Sequence, residues 1–474
     1  MNVRIALSLL VAVLAGCATP KGADTGLAVE VPAAWKIEAP FKTALPADAA
    51  PRGAWWRVFG DPHLNALEEQ AQSASPTLAA AAARLAQARA AVDVARAGLF
   101  PQLNAGTRVS RQEISANRPL SNYASPNSST VQNEFALSFS VAYEADLFGR
   151  VRGTVAAARA SAEQSEADFQ NVRLVLASDL AAAYFNLREL DIELDVLAQS
   201  IALQRRALEL VTARHQLGAT SGLEVAQQQA LLDSTLTQVD VLRRQRSQFE
   251  TAIAALVGRP APLFTLAPEV KPRIAPAIEV GIPADLMQRR PDIASAERAM
   301  AAANAQIGVA RAAYFPSVTF NPTGGLDSRM LSTLFDGPSL LWSLGVSVLQ
   351  PVFDAGRTDA NVAIAEAGYQ LASANYRRVV LTALQEVQDG ITGSAALDRA
   401  LAQARLAQQS AERVLQLAND RYQGGAATYL EVISAQQALL DRQRQVAQLL
   451  GQRLLVSVLL VKALGGGWEN GHGA

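Results

Sequence analysis

The chain has 474 residues, 42 Lys and Arg against 43 Asp and Glu, one cysteine and three histidines. The balanced charge gives no basic footprint for nucleic-acid binding. A single cysteine excludes a disulfide framework and a multi-cysteine metal site, and three histidines far apart in sequence do not indicate a metal or triad site. Half of the residues are hydrophobic, yet no run of about 18 apolar residues follows the N-terminus, which argues against a helical membrane protein.

The N-terminus has the pattern of a secretion signal. A positive charge in residues 1–4 precedes an apolar run at 5–15 that is too short to span a bilayer as a helix. The next segment, Leu14–Cys17, resembles a bacterial lipobox. We therefore predict a signal peptide over 1–16 and acylation of Cys17, with an ordinary signal peptide and an incidental cysteine as the alternative. Stable anchoring takes more than one acyl chain.

An internal duplication organises the rest of the chain. Residues 76–101 correspond to 291–316, and both blocks are Ala-rich and end in Phe-Pro. Residues 214–225 correspond in the same way to 421–432. A period of about 210 residues is too long for a solenoid and indicates a duplicated half.

Each repeat has the same predicted elements in the same order. The Phe-Pro pairs end a helix, because proline disfavours helix in the residue before it. The predicted elements are a helix (71–98, 285–313), a β-hairpin (102–143, 317–350), a long helix (150–214, 357–421) and a further helix (220–257, 428–464). Segment 17–70 precedes the first repeat, a proline-rich linker spans 259–284, and 465–474 is a tail.

Four segments alternate in the way that β-strands do. Phe135–Tyr143 and Leu340–Val348 are the clearest; Leu103–Ser110 and Val318–Thr323 are weaker. Such alternation is typical of transmembrane β-barrel strands, although a globular sandwich gives a similar pattern. The Ser- and Asn-rich loop at 114–130 favours the barrel. Four strands cannot close a barrel, and open edges are not tolerated in a bilayer. We therefore expect an oligomer, in which three copies give twelve strands.

The long helices indicate a tube. At about 1.5 Å per residue, roughly 65 residues extend for about 100 Å, and the two shorter helices of each repeat together have a similar length. Leucines spaced three and four apart over 187–211 are typical of helix packing. A globular core has no use for helices of this length, whereas a periplasm-spanning barrel of helices does.

Two glycine-containing turns, 214–221 and 421–428, end the long helices. Gly218 and Gly425 are predicted to adopt a left-handed conformation there. Side-chain capping of the returning helices is expected from three hydroxyl residues. They are Thr220, Ser221 and Thr428.

These motifs together resemble the outer membrane factor family of TolC-like channels, in particular its OprM-type and NodT-type efflux lipoproteins. The resemblance covers nearly the whole mature chain. It is carried by the lipobox, Trp55-Trp56, Phe59–Pro62 with Leu64, the two Phe-Pro helix blocks, Asp354–Arg357 and Lys462–Trp468. It implies a membrane α+β fold: a trimeric twelve-stranded outer-membrane barrel, four strands per chain, continuous with a twelve-strip periplasmic α-helical barrel. An equatorial collar is expected from 35–70, 259–284 and the C-terminal tail.

The resemblance also implies partners and sites. The expected partners are two further copies in a homotrimer, a periplasmic adaptor (a membrane fusion protein), an inner-membrane RND-type or ABC-type pump and outer-membrane lipid, with no nucleic acid. No cofactor is expected beyond the lipid on Cys17. The turns are the expected adaptor-docking tips, with simple helix capping as the alternative. The tip residues are Arg214, Gly218, Thr220, Ser221, Arg421, Gly425 and Thr428.

A periplasmic gate is implied on the helix after the second turn. The family pattern there is Leu-x-x-x-Asp-Ala-Gln with an Arg nearby. This chain keeps Leu430, but Ser434 replaces the Asp and Gln437 stands where an Arg can occur. Glu431 lies three residues before Ser434 and is hypothesised to supply an acidic ring instead. The alternative is that Glu431 only stabilises the helix N-terminus.

The resulting functional prediction is the outer-membrane channel of a tripartite efflux system, giving passive exit of drugs or small solutes. The alternatives are the exit duct of a type I protein secretion system and, in a different class, a periplasmic scaffold lipoprotein without a pore. No catalytic constellation is present; the glycine run at 465–467 lacks the Lys-Ser/Thr of a phosphate loop, so we do not expect an enzyme.

Overall fold

The computed structural model describes residues 53–117, 129–278, 280, 283 and 289–466. The predicted signal peptide, Cys17 and most of segment 17–70 lie outside these residues. Most of the Ser- and Asn-rich loop, parts of the linker and the end of the tail also lie outside them.

Long α-helices make up most of the described chain. They are α1 Pro62–Ala74, α2 Pro76–Ala97, α3 Arg150–Gln216, α4 Gly222–Leu256, α5 Pro291–Ala312, α6 Arg357–Gln423 and α7 Tyr429–Ala463. The helices match in pairs: α2 and α5 have 22 residues, α3 and α6 have 67, and α4 and α7 have 35. The matched lengths agree with the duplication inferred from the sequence.

The first helix of the first repeat is shorter than predicted. The prediction of one helix over 71–98 is wrong, because the chain breaks at Ser75, which is extended with φ −68° and ψ 122°. Pro76 follows Ser75 and disfavours the helical conformation in the residue before it. In the second repeat α5 begins at Pro291, and residues 285–288 of the predicted helix lie outside the described residues. The long helices end two residues later than predicted, at Gln216 and Gln423.

The strands form one antiparallel sheet of four arms. The first hairpin is β1 (Gln102–Ile114) and β2 (Thr130–Ala145). In the second hairpin each arm has two pieces. They are β3 (Ser317–Phe320) and β4 (Thr323–Ser328) in one arm, and β5 (Leu340–Ser343) and β6 (Val346–Leu349) in the other. β2 pairs with β1 on one side and with β3 and β4 on the other, and β6 and β5 complete the sheet. The four predicted strands are thus present.

The break in the second hairpin follows from Pro322. The register is continuous across it, since Ser140 lies opposite Thr323 and Tyr143 opposite Phe320. Pro322 still accepts a hydrogen bond from Val141 N–H at 2.9 Å, but it has no N–H to donate in return. The ladder is therefore interrupted at this point without a change in pairing.

The sheet exposes large apolar side chains. In the isolated chain they include Leu340, Trp342, Leu344, Val346 and Val348. Among the described strands, β1 and the β5–β6 arm each pair on one side only. Apolar outer faces and open edges are what a barrel shared between several copies requires.

The described residues form two compact units. One contains 85–165 and 296–375, and the other contains 53–84, 166–295 and 376–466. The second unit has the main hydrophobic core, where the predicted collar segments meet. Its members include Trp55, Trp56 and Leu64 before the first repeat, Phe264, Ile278 and Val280 of the linker, and Ala463 at the end of α7. α7 is long and apolar enough to cross a membrane by composition, but half of its most apolar window is buried, as in a core helix.

Candidate functional site

The first tip is a glycine turn between α3 and α4. Gly218 has φ 71°, a conformation that costs glycine little. Ala219 N–H donates to the Arg214 carbonyl at 2.9 Å, and Gly218 N–H donates to the His215 carbonyl at 2.9 Å. This pair of bonds is a Schellman motif, which satisfies carbonyls at the end of a helix.

The second tip repeats this geometry between α6 and α7. Gly425 has φ 73°. Ala426 N–H donates to the Arg421 carbonyl at 2.8 Å, and Gly425 N–H donates to the Tyr422 carbonyl at 3.1 Å. The predicted left-handed conformation is therefore confirmed at both glycines. The two repeats have the same backbone turn with different side chains.

The expected side-chain capping at the tips is wrong. Ser221 and Thr428 occupy the N-cap positions with the same backbone angles, but neither side chain makes a capping hydrogen bond. Their carbonyls instead accept from Glu224 N–H at 3.2 Å and Glu431 N–H at 3.1 Å, so a tight first turn uses the backbone in place of the hydroxyl. Thr220 lies outside α4, and its carbonyl contacts His215 Nδ1 at 2.9 Å.

Side chains connect the two tips. Tyr422 donates its hydroxyl proton to Glu224 Oε2 at 2.7 Å, and the Arg214 guanidinium lies 5.1 Å from the centre of the Tyr422 ring. Tyr429 donates a buried hydrogen bond to Gln228 Oε1 at 2.8 Å. These contacts join the start of α4 to the end of α6 and the start of α7, so the tips of one chain move together or break these bonds.

A small apolar cluster supports the tips. It consists of Val211, Ala418, Tyr429, Val432 and Ala435, with Tyr422 packed against it. The rings of Tyr422 and Tyr429 are 5.0 Å apart. The hydrogen bonds between the tips therefore lie next to a packed apolar cluster.

The candidate gate residues share an exposed face at the start of α7. Leu430, Ser434 and Gln437 follow a spacing that places them along one side of a helix, and all are exposed in the isolated chain. Glu431 is also exposed and lies 3.3 Å from Arg421 in an ion pair. Arg421 also donates to the Ala426 carbonyl at 3.1 Å. Of the predicted tip and gate residues, Arg421 and Glu431 are thus in direct contact.

A buried polar centre in the predicted collar segments was missed by the sequence reasoning. Asp61 caps α1 by accepting from His63 N–H at 3.0 Å, and its other oxygen accepts from Tyr184 at 2.9 Å and Arg273 at 2.6 Å. Burial alone would raise the pKa of Asp61, but the bonds from Arg273 and Tyr184 outweigh it and hold the pKa below its ordinary value. The local signal was Asp61-Pro62, an N-cap followed by proline.

Arginines fix the proline-rich linker to the helices beneath it. Arg188 donates to Asp191 at 2.8 Å and to the Ala267 carbonyl at 2.7 Å. Arg246 donates to Asp191 at 2.6 Å and to the Leu266 carbonyl at 2.7 Å. Prolines have no N–H to donate, so this segment cannot form regular backbone hydrogen bonds throughout. The two arginine side chains supply the donors for the linker carbonyls instead. The signal was a charged pair at 188 and 191 inside the leucine stripe of α3.

Glu68 lies fully buried in α1. Neither of its carboxyl oxygens has a hydrogen-bond partner among the described residues. Burial raises its pKa to about 9, so the group is neutral at neutral pH. Within the described ranges, no group of three metal-binding side chains is present.

The comparison with known families decides the identity of the fold. The profile of the family described as Outer membrane efflux protein matches residues 67–259 and 282–466. The chain belongs to the outer membrane efflux protein family. The match covers both repeats, and the outer-membrane efflux function and location predicted from the sequence are those of this family.

Individual relatives match most of the chain. The chain is 34% identical over 468 residues to the pyoverdine export outer membrane protein OpmQ of Pseudomonas aeruginosa, covering 98% of this chain and 97% of OpmQ. It is 32% identical over 416 residues to the toluene efflux pump outer membrane protein TtgF of Pseudomonas putida, covering 88% and 86%. The solved structure of the outer-membrane channel OprN is similar, with a TM-score of 0.84, 28% identity and coverage of 93% and 98%.

The predicted fold class is therefore confirmed. The chain has the TolC-like fold of outer-membrane channels, as in the solved structures of OprN and VceC. Its four-armed sheet corresponds to the strand part of that fold, and its paired long helices correspond to the helical part.

Proposed function

We propose that this channel is the exit duct of a tripartite efflux pump. It receives drugs or small solutes from an RND-type or ABC-type inner-membrane pump through a periplasmic adaptor, and releases them passively. The names of the relatives support this, since OpmQ is named for pyoverdine export and TtgF for toluene efflux. Passive exit uses the pore itself and no catalytic residue.

The observation that carries the proposal is the pair of matching tips. Gly218 and Gly425 are exposed, and a Cβ added at either would meet nothing within 4 Å. Leu217 and Leu223 flank the first turn with 84% and 65% of their surface exposed. Two rigid turns with open glycines and exposed leucines favour docking of a partner helix hairpin, and we assign that partner as the adaptor.

Replacing Gly425 by Trp tests the docking. We expect the bulky side chain to reduce cross-linking of the adaptor to the tip and to lower resistance to exported solutes. The matched control is Gly356→Trp, because Gly356 also has a positive φ of 82° with nothing within 4 Å and lies at the other end of α6. Unchanged cross-linking and resistance in Gly425→Trp would reject the docking proposal.

Deleting the gene tests the substrate class. Hypersensitivity to small organic solutes, restored by the intact gene, is expected. Loss of one secreted protein with unchanged solute sensitivity would instead establish a type I secretion duct.

The gate and the anchor are further parts of the proposal. The exposed face of Leu430, Ser434 and Gln437 lies beside a tip, where a constriction controls entry, and Glu431 supplies the acidic charge of that entrance. Cys17 carries diacylglycerol and an N-acyl chain. Mass spectrometry of the mature N-terminus tests the anchor: an unmodified Cys17, or a signal peptide cleaved at another site, would refute it.

A further inference from the structure

Two glutamates lie one helical turn apart on α3. Glu193 is almost fully buried and accepts a hydrogen bond from Arg444 Nε of α7 at 2.9 Å. Arg444 also donates to Gln238 of α4 at 2.9 Å. Glu189, four residues before Glu193, projects from the same face. Glu189 therefore places a second carboxyl group beside the ion pair between Glu193 and Arg444.

A glycine in α7 makes room for Glu189. Gly451 is buried in the middle of this 35-residue helix, a position where glycine is unfavourable compared with alanine. A Cβ added there would lie 2.5 Å from Glu189 Oε2 and 2.7 Å from its Cδ. The absence of a side chain at Gly451 is thus what lets the Glu189 carboxyl group lie against α7.

Within the described part of the chain, the α7 arginines on either side of Gly451 are engaged by groups other than Glu189. Arg444 is engaged by Glu193 and Gln238. Arg453, the next arginine along α7, donates to Asp398 of α6 at 2.7 Å. Burial, the charge of Glu193 and a hydrogen bond with Glu193 raise the pKa of Glu189 to about 7. Two carboxyl groups at this spacing share a proton more readily than they tolerate two negative charges.

We propose that Glu189, Glu193 and Gly451 form a pH-responsive contact that holds α3 against α7. With the proton present, Glu189 donates to Glu193 and the helices stay packed. When the proton leaves to water, two carboxylates face each other across one turn of α3 and the contact with α7 loosens. Because α7 begins with the proposed gate residues, rising pH favours opening; this last step rests on the proposed function.

The direction follows from the raised pKa. The stabilisation by Glu189 is complete below the ordinary glutamate pKa of 4.5 and is lost as the pH rises through about 7. The contact between α3 and α7 is then most stable at acidic pH and least stable at alkaline pH.

The test uses hydrogen exchange of the purified trimer between about pH 5.5 and 8.5, corrected for intrinsic rates, together with single-channel recording. We expect exchange around Gly451 and open probability each to rise by up to about twofold, the scale of repulsion between like charges one turn apart. In Glu189→Gln, which stays neutral, this pH dependence disappears. Glu209→Gln, an exposed position on the same helix, keeps it.

A second pair of variants tests the geometry without pH. Gly451→Ala should lower the melting temperature, because its methyl group displaces the Glu189 carboxyl group, and Glu189→Ala in the same chain should restore most of the loss. The inference would be overturned if the wild-type channel conducts but its hydrogen exchange around Gly451 does not depend on pH. It would also be overturned if Glu189→Gln keeps the full pH dependence of exchange and open probability. A wild-type trimer that never conducts at any pH would instead contradict the proposed function. The hydrogen-exchange data would still show whether the contact between α3 and α7 responds to pH.

Discussion

The hydroxyl of Tyr422 donates to Oε2 of Glu224 at 2.7 Å, and this bond joins the second tip to the first. In the first repeat the residue corresponding to Tyr422 is His215. The connection is therefore not repeated by symmetry within the chain: the two turns have the same backbone geometry, but only the second one has the tyrosine.

Removing this bond should loosen the tips. Tyr422→Phe keeps the ring that contacts Tyr429 and Arg214 but loses the hydroxyl, at a cost of about 1.5–3 kcal/mol for a hydrogen bond to a charged group. We expect single-channel open probability to increase by about tenfold or more. Glu224→Gln should act in the same direction, and the double variant should add little to either single change. Additive effects would show that the two residues do not act through one bond.

The acidic entrance should depend on Glu431. Glu431→Gln removes one negative charge per subunit beside Arg421, so three charges are lost from the trimer's entrance. We expect a lower preference for cations, measured as the reversal potential in a salt gradient. Glu412→Gln is the control, an exposed acidic residue elsewhere on α6. An unchanged reversal potential would leave Glu431 only the role of stabilising the helix N-terminus.

The Asp61 centre should control stability in acid. Because its folded pKa lies below the ordinary 3.8, its stabilisation is present above that value and is lost as the pH falls through the folded pKa. Asp61→Asn should cost roughly 3–5 kcal/mol near neutral pH, as expected when a buried charge pair loses one partner. Urea unfolding at several pH values measures this. Asp93→Asn, at an exposed site on α2, should cost little, and equal losses in the two variants would contradict a specific role for Asp61.

Glu68 should lower the stability as the pH rises, whereas Asp61 loses its stabilising effect as the pH falls. Its folded pKa of about 9 lies far above the ordinary 4.5, so stability is greatest below 4.5 and falls as the pH rises through about 9. Glu68→Gln should therefore stabilise the chain at pH near 8 by roughly 1–3 kcal/mol, with a smaller gain near pH 5. The neighbouring Glu69, in an exposed pair with Arg57, provides the control Glu69→Gln. A Glu68→Gln variant that is less stable at every pH would refute burial without a partner.

The long elements could be predicted from the sequence because their boundaries are local. Proline and glycine end the long helices, and the repeat checks each boundary against its copy. Where the prediction was wrong, a local signal was underestimated. Pro76 breaks the first helix at Ser75, and Pro322 divides one strand arm. The prediction that the N-cap hydroxyls of the tips make capping hydrogen bonds was wrong for a related reason. The sequence identifies the capping residue, but it does not show whether the side chain or the backbone of that residue makes the bond.

The collar network could not be predicted in the same way. Asp61 and Arg273 are 212 positions apart and meet only in the folded chain. Nor does a single sequence show that Gly451 lies under Glu189. Such pairs depend on how helices pack, and the leucine pattern of α3 indicates which face packs without naming the partner helix. The tips were found because glycine turns are visible in sequence, while the bond between Tyr422 and Glu224 was not.

The central claim is that three copies of this chain form one conducting channel through the outer membrane. Recording from the purified protein in a planar lipid bilayer, alongside its migration with and without heating, tests it most directly. We predict a trimer that dissociates on heating and discrete conductance steps from the unheated trimer alone. A chain that stays monomeric in outer-membrane extracts and gives no conductance steps would contradict the account and favour a scaffold without a pore.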